Sequence, residues 1–133
     1  MNAGLLIITH KHQGRMLVET ATTLLGVCPL AVETVSVPDE CEPGELVKAA
    51  DEKRQAVDSG DGVLVLTDMY GATPGNIANA LKDKGIVSVV SGVNLPMLIR
   101  ILNYPNLSLR ELSKKAVSGG RDGVMLCNQS TPD

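Results

Sequence analysis

Residues 62–76 read Gly-Val-Leu-Val-Leu-Thr-Asp-Met-Tyr-Gly-Ala-Thr-Pro-Gly-Asn, and this stretch decides the fold. Val63 to Leu66 is an unbroken apolar run, the pattern of a parallel strand covered on both faces rather than of a half-exposed one. Asp68 and a glycine turn follow. Thr73-Pro74 then predicts a helix start: an N-cap hydroxyl, then a proline whose missing N–H costs nothing in the first turn. Gly85 is placed to end that helix after Ile77, Ala78 and Leu81. Strand, turn and helix in this order form the repeating unit of α/β proteins.

The same alternation extends in both directions. Strands are expected at Leu5 to Thr9, Ala31 to Val37, Gly62 to Thr67, Ile86 to Ser91 and, after a glycine-rich turn, Gly123 to Cys127 as an edge strand. Leu17, Val18, Ala21, Leu24 and Leu25 recur at helical spacing and stop near Gly26. A second helix opens at Pro43, carries Leu46, Ala50, Arg54 and Val57 on one face, and leaves Lys48, Asp51, Glu52, Lys53 and Gln55 solvated. A short helix begins near Pro96. Ser108 to Glu111 has the S-x-x-E form of a capping box, with Gly119-Gly120 closing the helix it starts. Asn128 to Asp133 reads as a polar tail.

Composition narrows the function. The chain has 133 residues, 44% of them hydrophobic, enough for one domain with its own core and no staples. Its formal charge of −3 is spread out, and Tyr70 and Tyr104 are its only aromatic residues, which argues against a nucleic-acid reader. No apolar run approaches the roughly 18 residues of a membrane span, and Gly4 to Ile8 is too short for a signal-peptide core, so a cytoplasmic protein is expected. Cys28, Cys41 and Cys127 lack paired spacing, which argues against disulfides and structural zinc.

In open parallel sheets, ligands sit beyond the carboxyl ends of the strands, where the strand order reverses. The first strand delivers Thr9-His10 there, the third delivers Asp68, and the fourth delivers Gly92 to Pro96. If the first and third strands are neighbours, His10 and Asp68 share a crevice. A histidine donating Nδ1–H to a carboxylate is a sensible nucleophile, because Nε2 keeps its lone pair. The segment Gly71 to Asn76, small residues at a helix N-terminus, exposes backbone N–H groups to an anion, with the Thr73 hydroxyl as one more donor. His12 makes an H-x-H pair with His10, but no third metal ligand stands at recognisable spacing. NTPase, dinucleotide and serine-hydrolase motifs are absent, and the chemistry calls for no metal or other cofactor.

Ile8-Thr9-His10, Asp68 with Gly71 to Asn76, and Gly92 to Leu98, in this order, resemble the IIA component of the mannose family of the sugar phosphotransferase system. The likeness extends to Gly120 to Val124. It implies that His10 is phosphorylated, that Asp68 partners it, and that Thr73 stands beside the phosphate with Gly71 and Ala72. The implied donor is phospho-HPr and the acceptor a IIB protein, with no IIB domain expected within these 133 residues. The implied fold is a doubly wound sheet of mainly parallel strands, order 2-1-3-4, with helices on both faces. Members are typically homodimers that exchange a final strand, here Gly123 to Cys127. Lys11 departs from the pattern, because the family often has glycine directly after the histidine. Two related readings share this chemistry: a regulatory module switched by His10 phosphorylation, and the phosphotransferase subunit of the dihydroxyacetone kinase system. The latter tends to read Gly-Ser-Ala after the aspartate. A noncovalent anion-binding domain of the same fold is a third reading.

Overall fold

Four parallel strands, Gly4–His10 (β1), Val32–Val37 (β2), Val63–Thr67 (β3) and Val87–Ser91 (β4), form one sheet in the order β2-β1-β3-β4. The structure is a computed structural model that describes residues 2–128. Five helices join and flank the strands: Gln13–Leu25 (α1), Pro43–Val57 (α2), Thr73–Ala80 (α3), Leu95–Leu102 (α4) and Leu109–Asp122 (α5).

The unbroken apolar runs work as expected, because both faces of the sheet are covered. Leu5, Ile7, Leu64, Leu66 and Val90 point into one core with residues of α1, α4 and α5. Leu6, Ile8, Val63 and Val65 point into the other, against Ala50 and Val57 of α2 and Ile77 and Ala78 of α3. Each fully buried Leu or Ile contributes roughly 1.5–3 kcal/mol. Helix α1 seats closely on β1 because Gly14 faces the sheet, where a Cβ would lie 2.9 Å from Ile7 Cγ2. Gly26 ends α1 in the left-handed conformation, with its N–H on the Thr22 carbonyl.

Helices α2, α4 and α5 begin at side-chain caps. Glu42 Oε1 accepts from the Gly44 amide at α2, Asn94 Oδ1 from the Met97 amide at α4, and Ser108 Oγ from the Glu111 amide at α5.

Four expectations are corrected. First, Gly123 to Cys127 forms no strand: α5 runs through to Asp122, and the segment beyond it lies on the surface without a sheet partner among the described residues. A strand needs a neighbour, and β4, the outermost strand on that side, pairs with β3 alone. Second, Gly119-Gly120 does not close α5. These glycines lie inside the helix because a Cβ on Gly119 would sit 2.5 Å from Arg100 Cβ, and one on Gly120 2.8 Å from Met97 Cε. They admit α4, not a turn. Third, α3 yields at Ala80 to a 3₁₀ turn, Leu81–Asp83, before it reaches Gly85. Fourth, Asp51 and Lys53 are only half-exposed rather than solvated, since Arg54, buried on the apolar face as its spacing implied, donates from Nε to Asp51 Oδ1 at 2.7 Å, and Lys53 Nζ donates to the Thr34 carbonyl. The expected polar tail lies, past Asn128, outside the described residues.

Candidate functional site

Register places the site. Ile8 of β1 pairs with Thr67 of β3, so His10 and Asp68 emerge together at the carboxyl ends of two hydrogen-bonded strands. The His10 backbone N–H donates to Asp68 Oδ2 at 3.0 Å, and His10 Nδ1 lies 2.8 Å from the same oxygen. An ionised carboxylate only accepts, so Nδ1 carries the proton and Nε2 keeps its lone pair. The His10 side chain is 45% exposed and Asp68 only 11%. The ring is therefore anchored on its buried side and open on the other.

Burial pushes the Asp68 carboxyl up, but hydrogen bonds from the His10 backbone and ring outweigh it. The group titrates below the ordinary carboxylate range. Asp68 Oδ1 and Thr67 Oγ1 are buried with no hydrogen-bond partner among the described residues.

The turn after Asp68 differs in one detail from expectation. Ala72 is the N-cap of α3, Thr73 is its first residue and Pro74 its second, and no side chain caps this helix. The Thr73 hydroxyl is thus not engaged as a cap. Proline removes one N–H, and the remaining amides of the first turn face the helix end without a side-chain acceptor. Gly71 takes φ +83°, which lets the chain reverse between Asp68 and the helix.

Lys11 is the one described non-glycine residue with positive φ, at 50°. It stands where the resembled family often has glycine, and the left-handed backbone supplies the physical reason. A side chain there costs roughly 1–2 kcal/mol. Its N–H bonds the Val37 carbonyl at 2.8 Å, and its ammonium lies 3.8 Å from exposed Asp39.

His12 does not join His10. Its Nδ1 lies 3.0 Å from Ser36 Oγ of β2, on the other side of the loop. Among the described residues, no group of three or more His, Cys, Asp or Glu side chains is placed to hold a metal ion. No helix among them is long and apolar enough to cross a membrane.

One member of the cluster was missed from sequence. Gln13, the first residue of α1, donates from Nε2 to Asp68 Oδ2 at 3.1 Å and to the His10 carbonyl at 3.2 Å. A glutamine three residues after a histidine carries no motif. Only the sharp loop at Lys11 and His12 turns it back over the carboxylate.

Comparison with known proteins agrees with this fold. The family model for EIIA-man, described as PTS system fructose IIA component, matches residues 4–117. The chain is 37% identical over 131 residues to the PTS system mannose-specific EIIAB component of Escherichia coli strain K12, covering 93% of this chain and 39% of that protein. It is 32% identical over 115 residues to the transcriptional regulatory protein LevR of Bacillus subtilis, covering 82% of this chain and 12% of that protein. Its fold matches the mannose/sorbose-specific IIA subunit from Enterococcus faecalis with TM-score 0.81 at 23% identity, over 100% of both chains. With the family model spanning all four strands and the His10–Asp68 crevice, the chain belongs to the EIIA-man family of phosphotransferase-system IIA components.

Proposed function

We propose that this chain is a phosphocarrier: His10 Nε2 accepts a phosphoryl group from phospho-HPr and passes it to a IIB protein for sugar uptake. The observation that carries the reading is the 2.8 Å contact between His10 Nδ1 and Asp68 Oδ2. It fixes the tautomer that leaves Nε2 nucleophilic, and half of the ring is open to a partner.

In this reading Nε2 attacks phosphorus in line as the donor imidazole leaves. The ring gains positive character, which Asp68 offsets. The amides of Gly71, Ala72 and Thr73 and the Thr73 hydroxyl then steady the equatorial oxygens at the N-terminus of α3. The transferred group adds up to two negative charges beside Asp68, so the phospho-form is metastable and suited to onward transfer.

A homodimer completes the proposal. Strand β4 pairs with β3 alone, and a pocket beside it is lined by Ser88, Val89 and Val90 of the strand and by Ser113, Val117 and the charged Lys114, Arg121 and Asp122 of α5. Val124, Met125 and Leu126 stand exposed just beyond α5. An exchanged segment laid on that edge would pair its backbone and bury those side chains.

The test is phosphoryl transfer from phosphoenolpyruvate through enzyme I and HPr, read by intact mass on wild type, His10→Ala and His12→Ala. Label lost in His10→Ala alone supports the reading. Loss with His12→Ala alone moves the site, and an unlabelled wild type with a matched HPr sinks the carrier reading.

A further inference from the structure

Asp68 uses its two oxygens unequally. Oδ1 is buried without a hydrogen-bond partner among the described residues. Oδ2 faces three donors: the His10 backbone N–H at 3.0 Å, His10 Nδ1 at 2.8 Å and Gln13 Nε2 at 3.1 Å. A carboxylate offers about four acceptor sites, two on each oxygen. Three donors on one oxygen therefore compete for its charge. The backbone N–H belongs to the strand end, and the ring N–H belongs to the reacting group. The third donor, Gln13, is free to differ, and its second bond, to the His10 carbonyl at 3.2 Å, holds it across the junction.

We propose that Gln13 is a positioning residue that weakens the hold of Asp68 on the His10 Nδ1–H and so loosens the phosphoryl group on Nε2. This rests on the phosphocarrier reading. When His10 is loaded, an Nε2–P bond forms from the Nε2 lone pair while the donor's P–N bond breaks, its electron pair returning to the donor imidazole. The His10 ring is left positively polarised with its Nδ1 proton in place. On unloading, the Nε2–P bond breaks and its electrons return to Nε2 as the acceptor bonds phosphorus. Asp68 Oδ2 stabilises the loaded ring in proportion to the charge it has left. By drawing on the same oxygen, Gln13 makes the loaded state less stable and the group easier to pass on.

The experiment compares wild type with Gln13→Leu, which removes the donor, and Gln13→Glu, which removes it and adds negative charge. Both side chains sit at an exposed helix start. Two quantities are read: the His10 Nδ1 proton resonance of the unphosphorylated protein, and the ratio of loaded to free protein at equilibrium with phospho-HPr. Gln13→Leu is expected to move the resonance downfield and raise the ratio about two- to fivefold, the range one hydrogen bond allows. Gln13→Glu is expected to move the resonance downfield as well, while its added charge opposes the incoming phosphoryl group, so for that variant the resonance is the deciding readout. Simple structural damage would lower the ratio in both variants, and that result overturns the proposal. So does a labelled wild type with an unchanged resonance and ratio in Gln13→Leu, which leaves the carrier reading standing. A wild type that takes no label removes the carrier reading itself, and the role of Gln13 falls with it.

Discussion

The crevice between β1 and β3 and the open edge of β4 belong to one sheet but are completed differently. In the crevice the His10 ring is held by Asp68, just beyond β3, and that carboxylate is held in turn by Gln13 of α1 and the His10 backbone N–H of β1. At the edge, β4 pairs on one side only, and Val124, Met125 and Leu126 beyond α5 are 77%, 72% and 83% exposed. A reacting group needs short, fixed contacts, which neighbouring strand ends supply by register alone. The strand edge and the apolar segment have no such partners among the described residues.

The largest expected effect tests the self-sufficiency of the crevice. Asp68→Asn keeps the shape but offers an amide that can donate to Nδ1, favouring the tautomer whose proton sits on Nε2. Phosphoryl uptake from phospho-HPr should fall by about 10²- to 10³-fold, in line with the weight of a fixed tautomer and a positioned base. Stopped-time labelling read by intact mass measures it. There is a linked pH effect. Asp68 titrates below its unfolded value, so its stabilisation is present above the ordinary carboxylate range, about pH 4, and is lost as pH falls through the lowered folded value. In Asp68→Asn this acid-side loss should shrink. Uptake within about threefold of wild type would mean that the crevice does not depend on this contact.

Next in size is Arg54→Met, which concerns how the edge strand is braced. The Arg54 side chain is only 7% exposed, bonded to Asp51 at 2.7 Å and near Asp58 at 3.7 Å. A Cβ on Gly85, in the turn entering β4, would lie 2.4 Å from its Nη1. Removing the guanidinium leaves two half-buried carboxylates without their cation and should cost about 2 kcal/mol, read by urea unfolding. Burial raises Asp51, but hydrogen bonds from Arg54 and Gln55 and the charges of Arg54 and Lys84 lower it more. Its stabilisation is therefore full above about pH 4 and fades as pH falls through the lowered folded value, so the gap between wild type and variant should narrow in acid.

The same contrast explains what was legible in the sequence. Four strands and the His10–Asp68 crevice were readable because unbroken apolar runs, a terminal His and a terminal Asp are local signals, and the register of parallel neighbours converts them into proximity. Gly119-Gly120 misled because a glycine pair reads as a stop when taken alone. Here it is the surface on which Arg100 and Met97 of α4 pack. Arg54 fell on the apolar face of α2 by its spacing, but chain order alone did not show that the carboxylates of Asp51 and Asp58 both reach it. Gln13 was invisible because its two bonds depend on the left-handed turn at Lys11. Gly123 to Cys127 has a strand's composition but no strand partner among the described residues to make it one.

A smaller effect probes the edge directly. Met125→Asp with Leu126→Asp places two charges where the homodimer reading lays apolar side chains against a neighbour. Sedimentation should show the dimer dissociation constant rising at least about tenfold, the equivalent of about 1.4 kcal/mol. Uptake on His10 should remain, since no residue of that segment appears among the bonds that fix His10. A protein that is monomeric before any change removes that neighbour from the comparison.

The smallest expected effect asks whether the two regions are truly independent. Ser108 caps α5 by accepting from the Glu111 amide at 3.3 Å, and α5 both walls the pocket beside β4 and leads into the exposed segment. Ser108→Ala should lower stability by about 1 kcal/mol, the usual weight of an N-cap. Helix α5 meets the sheet mainly at β4, and its packing partner is α4 rather than α1, where Gln13 sits. Fraying of its first turn should therefore leave phosphoryl uptake at its wild-type rate under conditions where both proteins are fully folded. If uptake instead falls along with stability, strain at the β4 edge reaches the β1–β3 crevice through the shared sheet, and the site is not completed by its local contacts alone.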